Sequence, residues 1–327
     1  MSHINFVSWL SDDLNAYIIM KQASGRSFIG DIRILKKIDL MIAEEFADED
    51  YLNKEICERW IELHVMLDPG TQKNYATTLR QFGKYLISLG KKAYVLPDNI
   101  CPEVSRKPPF IFTFDELKSF FSAVDGLDVS PYSPFRHYIA PVYFRLLYTC
   151  GLRPSEGRFI AVEDVDLTTG KIRIRESKGW MERFVYVAND MLDLLQRYHL
   201  IMDKALPDRT AFFPNRHGKY WSHHLAENLF RVIWYSLPES KAERISNPHP
   251  HSFRHSYVVH RILKWNQEDR DINAYYPYLS EFLGHANFES TYYYVTLSEV
   301  FYSEIKNRMK KSNLNVLPEV PTYENYR

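Results

Sequence analysis

The sequence predicts a mainly α protein with a small β-sheet, divided into an N-terminal helical domain and a larger mixed α/β domain. Three observations carry that prediction. Apolar residues recur at helical spacing through the first hundred positions without strand-like alternation, and four of the 17 prolines fall in the stretch PDNICPEVSRKPPF. Two short alternating segments, KIRIRES and ERFVYVA, follow that stretch. A chain of 327 residues, 45% hydrophobic and 25% charged, is long enough to build two cores.

The elements follow in order. Ile32, Leu35, Ile38, Leu40 and Ile42 form one apolar stripe, Ile56, Trp60, Leu63 and Leu67 a second, and Tyr75, Leu79, Phe82 and Leu86 a third. Asp68-Pro69-Gly70 separates the second from the third, and Gly90 stops the third. Four or so short helices make a small all-α domain, expected at 28–103 after an extension at 1–27 and before a linker at 104–109. The second domain, expected at 110–310, opens with TFDELKSFFSAV, where Thr113 and Glu116 stand at capping-box spacing. KIRIRES and ERFVYVA read as paired strands, with Lys178-Gly179 in a tight connection between them. Helices are expected at 189–205, with Asn189 as cap, at 222–236 and at 252–264, and 311–327 reads as an extended tail.

Composition bounds the function. The most apolar run, YIAPVYFRLLY, is interrupted by Arg145, and the N-terminal NFVSWLSDDL is acidic where a signal peptide stays apolar, so a cytoplasmic protein without a membrane partner is expected. Cys57, Cys101 and Cys150 are far apart and show neither disulfide nor zinc spacing. Net charge is zero and the pI is near 7.2, which taken alone speaks against a nucleic-acid binder. The charges are segregated, however: residues 31–62 hold five Lys/Arg against ten Asp/Glu, whereas 71–107 hold seven against two. Such a basic stretch, with Lys73, Arg80, Lys84, Lys91 and Lys92, can hold phosphates on a neutral molecule.

Four short stretches carry chemistry when taken together. TCGLRPSEGRFI places Arg153 at a helix start with Pro154 in its first turn and Glu156 just beyond. Lys178 lies in the hairpin connection. PHSFRHSYVVHR sets His251 and Arg254 on one helix face with His255 beside them, and LGHANFESTYYYV sets His285 nine residues ahead of Tyr294. Singly, each has an ordinary explanation: a surface ion pair, a solvated lysine, packing aromatics. The pair His251 and His255 has metal-ligand spacing but lacks the glutamate of H-E-x-x-H and an acidic third ligand, so no metal is expected. As a set, they match what phosphodiester cleavage requires without a metal. A tyrosine hydroxyl is the nucleophile, arginine forks hold the non-bridging oxygens, and lysine and histidine move protons.

Here the chain resembles the tyrosine recombinases, or phage integrases. GLRPSE, ESKGWMERFVYV, HSFRH and LGHANFESTYYY stand in that family's order at about its spacings, and RQFGKYLISLG followed by KPPFIFTFDEL is similar to the junction of its helical core-binding (SAM-like) domain and its catalytic domain. The resemblance implies a catalytic set of Arg153, Lys178, His251, Arg254, His285 and Tyr294, with Tyr293 as the alternative nucleophile, Glu156 as a support and His255 behind the reacting groups. It further implies site-specific recombination through a 3′-phosphotyrosyl intermediate, no cofactor, and a homotetramer on two DNA duplexes exchanging C-terminal segments.

The chain also departs from most relatives. The segment WNQEDRDINAYYPYLSEF is longer, as in recombinases of transposons and conjugative elements, and Tyr186 stands where many members have proline. Residues 1–27 do not resemble an arm-binding domain. Two alternatives remain: a type IB topoisomerase, which would relax DNA of any sequence, and a non-catalytic DNA-binding protein of the same fold.

Overall fold

The protein is described here by a computed structural model covering residues 4–23, 28–101, 103, 107–175, 182–284 and 294. The chain forms two compact units, Met1–Arg106 and Lys107–Arg327. The expected class holds: both units are mainly helical, and the second carries one small sheet. Among the described residues no helix is long and apolar enough to cross a membrane.

The first unit comprises α1 (Ser11–Ala23), α2 (Ile29–Glu45), α3 (Lys54–Glu62) and α4 (Pro69–Ser88). The Asp-Pro-Gly breaker works as a helix start: Asp68 accepts the Thr71 N–H at 3.0 Å, and Pro69 occupies the first helical position, where a missing donor costs nothing. Leu14, Leu35, Ile38, Ile56, Trp60 and Phe82 are buried in one core. The segment expected as an extension supplies α1 to that core. Asp39 of α2 ties it down by accepting the N–H groups of Val7 and Ser8 at 2.7 and 2.9 Å.

Two expectations for this unit need correction. The second apolar stripe outruns its helix: α3 ends at Glu62, so Leu63 and Leu67 lie beyond the regular turns and are exposed, whereas Ile56 and Trp60 are buried. Arg80 is no surface phosphate contact. Its Nε donates to the Leu96 carbonyl at 2.7 Å, one terminal nitrogen donates to the Pro97 carbonyl at 2.6 Å, and the other lies 3.2 Å from Asp98, so the buried guanidinium anchors the chain after α4. Lys73 and Lys84 are exposed on α4, and their spacing of eleven leaves them only about 20° apart around the helix. Lys91 pairs with Asp13 at 2.6 Å, and Lys92 lies 3.7 Å from the centre of the Tyr51 ring.

The second unit runs α5 (Phe114–Asp125), α6 (Arg136–Thr149), α7 (Pro154–Arg158), β1 (Val165–Asp166), β2 (Lys171–Ile174), β3 (Arg183–Tyr186), α8 (Asn189–Ala205), α9 (His223–Ser236), α10 (Ser252–Gln267) and α11 (Ile272–Leu283). The Thr113 and Glu116 capping box forms, with reciprocal bonds of 3.2 and 2.7 Å. At α8 the cap position falls to Ala188, and Asn189 is the first helical residue. The sheet is antiparallel in the order β1-β2-β3, with Ile172 opposite Val185 and Ile174 opposite Arg183. The described strands end at Ile174 and resume at Arg183, and Lys178-Gly179, expected in a tight connection between them, lies outside the described residues.

Phe253 fixes the position of α10. Its fully buried ring lies 5.0–5.9 Å from those of Phe112, Phe120, Phe121, Phe144 and Phe230, drawing α5, α6 and α9 against one side of α10. Burying one such ring stabilises the fold by about 1.5–3 kcal/mol, and its edge contacts resist rotation of the helix. The residues flanking Phe253 are thereby held in place.

Arg80→Ala is expected to lower the unfolding free energy by about 2 kcal/mol, because it removes a buried donor from two carbonyls, while Lys84→Ala changes it by less than about 0.5 kcal/mol. Denaturant unfolding of both variants checks this ordering.

Candidate active site

The site is built around a turn that demands glycine. Gly151, after α6, has φ +57°, and a Cβ there would sit 2.7 Å from the Tyr257 ring. Leu152 then buries itself and Arg153 adopts extended backbone, which makes Arg153 the N-cap of α7 with Pro154 behind it. The Arg153 N–H donates to Glu156 Oε2 at 2.8 Å, and its guanidinium donates to Oε1 at 2.6 Å. A carboxylate in a first helical turn suits the positive end of the peptide dipoles.

Glu156 is 4% exposed and collects two more arginines. Arg183, on β3, donates to Oε1 and Oε2 at 2.8 and 2.7 Å in a fork-to-fork pair, and the Arg254 guanidinium lies 3.8 Å from Oε2. Burial pushes the Glu156 carboxyl up, but Arg183 and then Arg153 override it and hold the group down to about 2.

The same three guanidinium groups meet again at the end of α11. Arg183 Nε donates to the Phe282 carbonyl at 2.9 Å, Arg254 to the Leu283 carbonyl at 2.7 Å, and Arg153 to the Gly284 carbonyl at 3.0 Å. The last carbonyls of a helix have no partner within it and carry the negative end of its dipole, so cations satisfy them twice over. Gly284 closes the helix in the left-handed region at φ +64°. Arg254 also donates to the Gly151 carbonyl at 2.9 Å, which joins the α6 turn to the α11 end. Burial first, then Arg153, pushes Arg254 down to about 9, still charged at neutral pH.

The histidines and the tyrosine line α10. His251 is its N-cap, and burial, then Arg254 and His249, push it down to about 4, so the ring is neutral at pH 7. His255, one turn on, packs edge-on to His251 at 4.7 Å between ring centres, and its Nδ1 lies 2.5 Å from the Tyr294 hydroxyl. Tyr294 is 5% exposed, packed with Val258, Val259, Ile262, Leu279 and Leu283. Thus Arg153, Glu156, His251, Arg254, His255 and Tyr294 share one neighbourhood. Lys178, His285, Tyr292 and Tyr293 lie outside the described residues. Among the described residues no group of three or more His, Cys, Asp or Glu is placed to hold a metal ion.

Arg183 was missed in the sequence, although a signal existed. It precedes buried Val185 by two, so it shares the inward face of β3, where an arginine must find a partner. With His251 neutral, three guanidinium groups share one carboxylate at this place, an excess of cations over anions among the described residues. That excess is what a phosphoryl group gathering negative charge would need.

Glu156→Gln should cost about 3–5 kcal/mol of stability, because it leaves buried guanidinium groups without their counter-charge. A loss below about 1 kcal/mol on denaturant unfolding would contradict the arrangement. The neutral histidines add a pH dependence. His251 and His260 are both pushed down to about 4, so the unfolded chain, with histidines near 6.5, binds protons that the folded chain refuses. Stability present above pH 6.5 is lost as the pH falls from there toward 4, by at most about 3 kcal/mol for each group. Unfolding measured at pH 7 and pH 4.5 reads this directly, and a flat profile would contradict it.

Comparison with known proteins identifies the family. The family model described as the phage integrase family matches residues 111–300. The chain is 28% identical over 301 residues to the putative integrase/recombinase y4rE of Sinorhizobium fredii (strain NBRC 101917 / NGR234), covering 89% of this chain and 93% of that protein. It is 25% identical over 280 residues to the tyrosine recombinase XerD of Staphylococcus aureus, covering 82% and 86%. The fold is similar to that of the XerH site-specific recombinase bound to a palindromic difH substrate in a post-cleavage complex, with a TM-score of 0.64, 19% identity and coverage of 91% and 85%. It is similar also to a lambda integrase dimer bound to a core site, with a TM-score of 0.59, 14% identity and coverage of 85% and 96%. The chain belongs to the phage integrase family, the tyrosine-type site-specific DNA recombinases.

Proposed function

We propose that this protein cuts and rejoins double-stranded DNA at specific sites through a 3′-phosphotyrosyl bond to Tyr294. The observation that carries this reading is the Tyr294 hydroxyl held against α10, the helix that also bears His251 and Arg254. In the reaction the Tyr294 oxygen bonds to phosphorus, and the P–O5′ bond breaks with its electron pair on O5′. Arg153 and Arg254 hold the charge that builds on the non-bridging oxygens. Lys178, assigned by family likeness, protonates the leaving O5′, while His251 and His285 share protons nearby. The phosphotyrosine keeps the energy of the broken bond, so a 5′-hydroxyl from another strand reverses the step, and the chemistry consumes no nucleotide or metal cofactor.

The helical unit would supply the second grip on the duplex. Lys73 and Lys84 share an exposed face of α4 and are the phosphate contacts this reading favours, with Lys91 and Lys92 close in sequence. Action on DNA is the ground for proposing a cytoplasmic protein, and the long segment before LGH favours a mobile element as its setting. Four protomers on two duplexes, linked by exchange of the segment 298–311 and its tail, complete the proposal.

The test uses nicked duplexes tiled from DNA flanking the protein's own gene, run on denaturing gels. A covalent protein–DNA adduct is expected with wild type and none with Tyr294→Phe. An adduct that survives the substitution moves the nucleophile to Tyr293. Tight binding without any adduct favours the non-catalytic alternative, and relaxation of supercoiled DNA of arbitrary sequence favours the topoisomerase.

A further inference from the structure

We infer that His255 is the base that takes the proton from Tyr294 when the tyrosine attacks phosphorus. This rests on the recombinase reading above and adds a reacting group outside the set that family likeness assigns. The ring that meets the nucleophilic oxygen is that of His255: Nδ1 and Oη are 2.5 Å apart, within the reach that direct proton transfer requires. With Tyr294 buried, bulk water is a poor alternative acceptor.

His251, one turn earlier on α10, resists taking a proton, because burial first and then Arg254, His249 and Arg153 oppose a positive charge on that ring. Arg254 and His255 are adjacent in sequence and so point about 100° apart around the helix. Arg254 reaches inward to the Gly151 and Leu283 carbonyls, while His255 faces the tyrosine. Phe253 locks α10 against rotation, which keeps His255 Nδ1 on Oη rather than on a neighbour.

The step balances as follows. The tautomer with hydrogen on Nε2 presents the Nδ1 lone pair to the phenol. As the Oη–P bond forms, the phenolic proton passes to Nδ1 and gives an imidazolium. The P–O5′ electron pair leaves with O5′, which is protonated by the separate acid. On rejoining, the imidazolium returns its proton to the departing Tyr294 oxygen.

Three variants and two substrates test the assignment, using the same tiled nicked duplexes and, at the site they locate, a duplex with sulfur replacing the scissile O5′. A sulfur leaving group needs no acid, so it rescues the loss of an acid and not the loss of a base. His255→Ala is expected to slow adduct formation by about 10²–10³-fold on both substrates, with exogenous imidazole restoring rate. His255→Asn, whose amide can occupy the Nδ1 position and hydrogen-bond without accepting the proton, should be as slow. Adduct formation by His255→Ala within about threefold of wild type, rescue by sulfur, or a wild-type rate in His255→Asn would each overturn the assignment. Imidazole rescue cannot come from misfolded protein, and equal binding of the duplex confirms folding in the Asn variant. Tyr294→Phe on the same gels scores the underlying reading: no adduct with wild type overturns both, whereas a wild-type adduct with a fast His255→Ala overturns only the role of His255.

Discussion

The arrangement depends on one buried carboxylate. Glu156 gathers Arg153, Arg183 and Arg254 from α7, β3 and α10, and the carbonyls of Phe282, Leu283 and Gly284 take up donors from the same three side chains. Without the carboxylate, three guanidinium groups so close together would repel one another where water cannot screen them. Without the end of α11, their remaining donors would lose three partners. Elements separated by up to about 130 residues in the chain are fixed together by a handful of charge-assisted bonds, each about twice as strong as a neutral one.

A buried ionic cluster is a poor means of gaining stability, because desolvation offsets much of the attraction. Its value here lies in position and charge. The guanidinium groups are oriented before any substrate arrives, so little reorganisation is left for the reaction, and among the described residues three cations share one carboxylate where the proposed phosphoryl group would sit. The Phe253 contacts complete the positioning. Packing on one side of α10 and ion pairing on the other leave the helix no room to turn His251, Arg254 and His255 out of register.

Much of this was legible in the sequence, for physical reasons that differ from residue to residue. Thr113 and Glu116 declared a helix start because capping is local, and Arg153 followed by Pro154 did the same for α7. The pairing of His251 with Arg254 on one helix face follows from a period of 3.6 residues. Arg183 was legible only in part: alternation with Val185 sets it on the inward face of β3, but its partner Glu156 is 27 residues away and nothing local names that partner. Arg80 misled for the same reason: a basic residue in a basic stretch looks like surface, and only the path of the chain past Leu96 and Pro97 buries it. Leu63 and Leu67 continued the apolar rhythm of α3 after its backbone had stopped. The direct contact of His255 with Tyr294 spans 39 residues and belongs to tertiary structure alone.

The measurement that tests the central claim most directly is peptide mapping of the covalent complex. Wild-type protein is trapped on a nicked duplex, trimmed with nuclease and protease, and fragmented in a mass spectrometer to find the residue that carries the nucleotide. The account predicts a 3′-nucleotide on Tyr294. Attachment at Tyr292, Tyr293 or any residue outside that run would contradict it, because His255, beside Arg254 on α10, meets the Tyr294 hydroxyl.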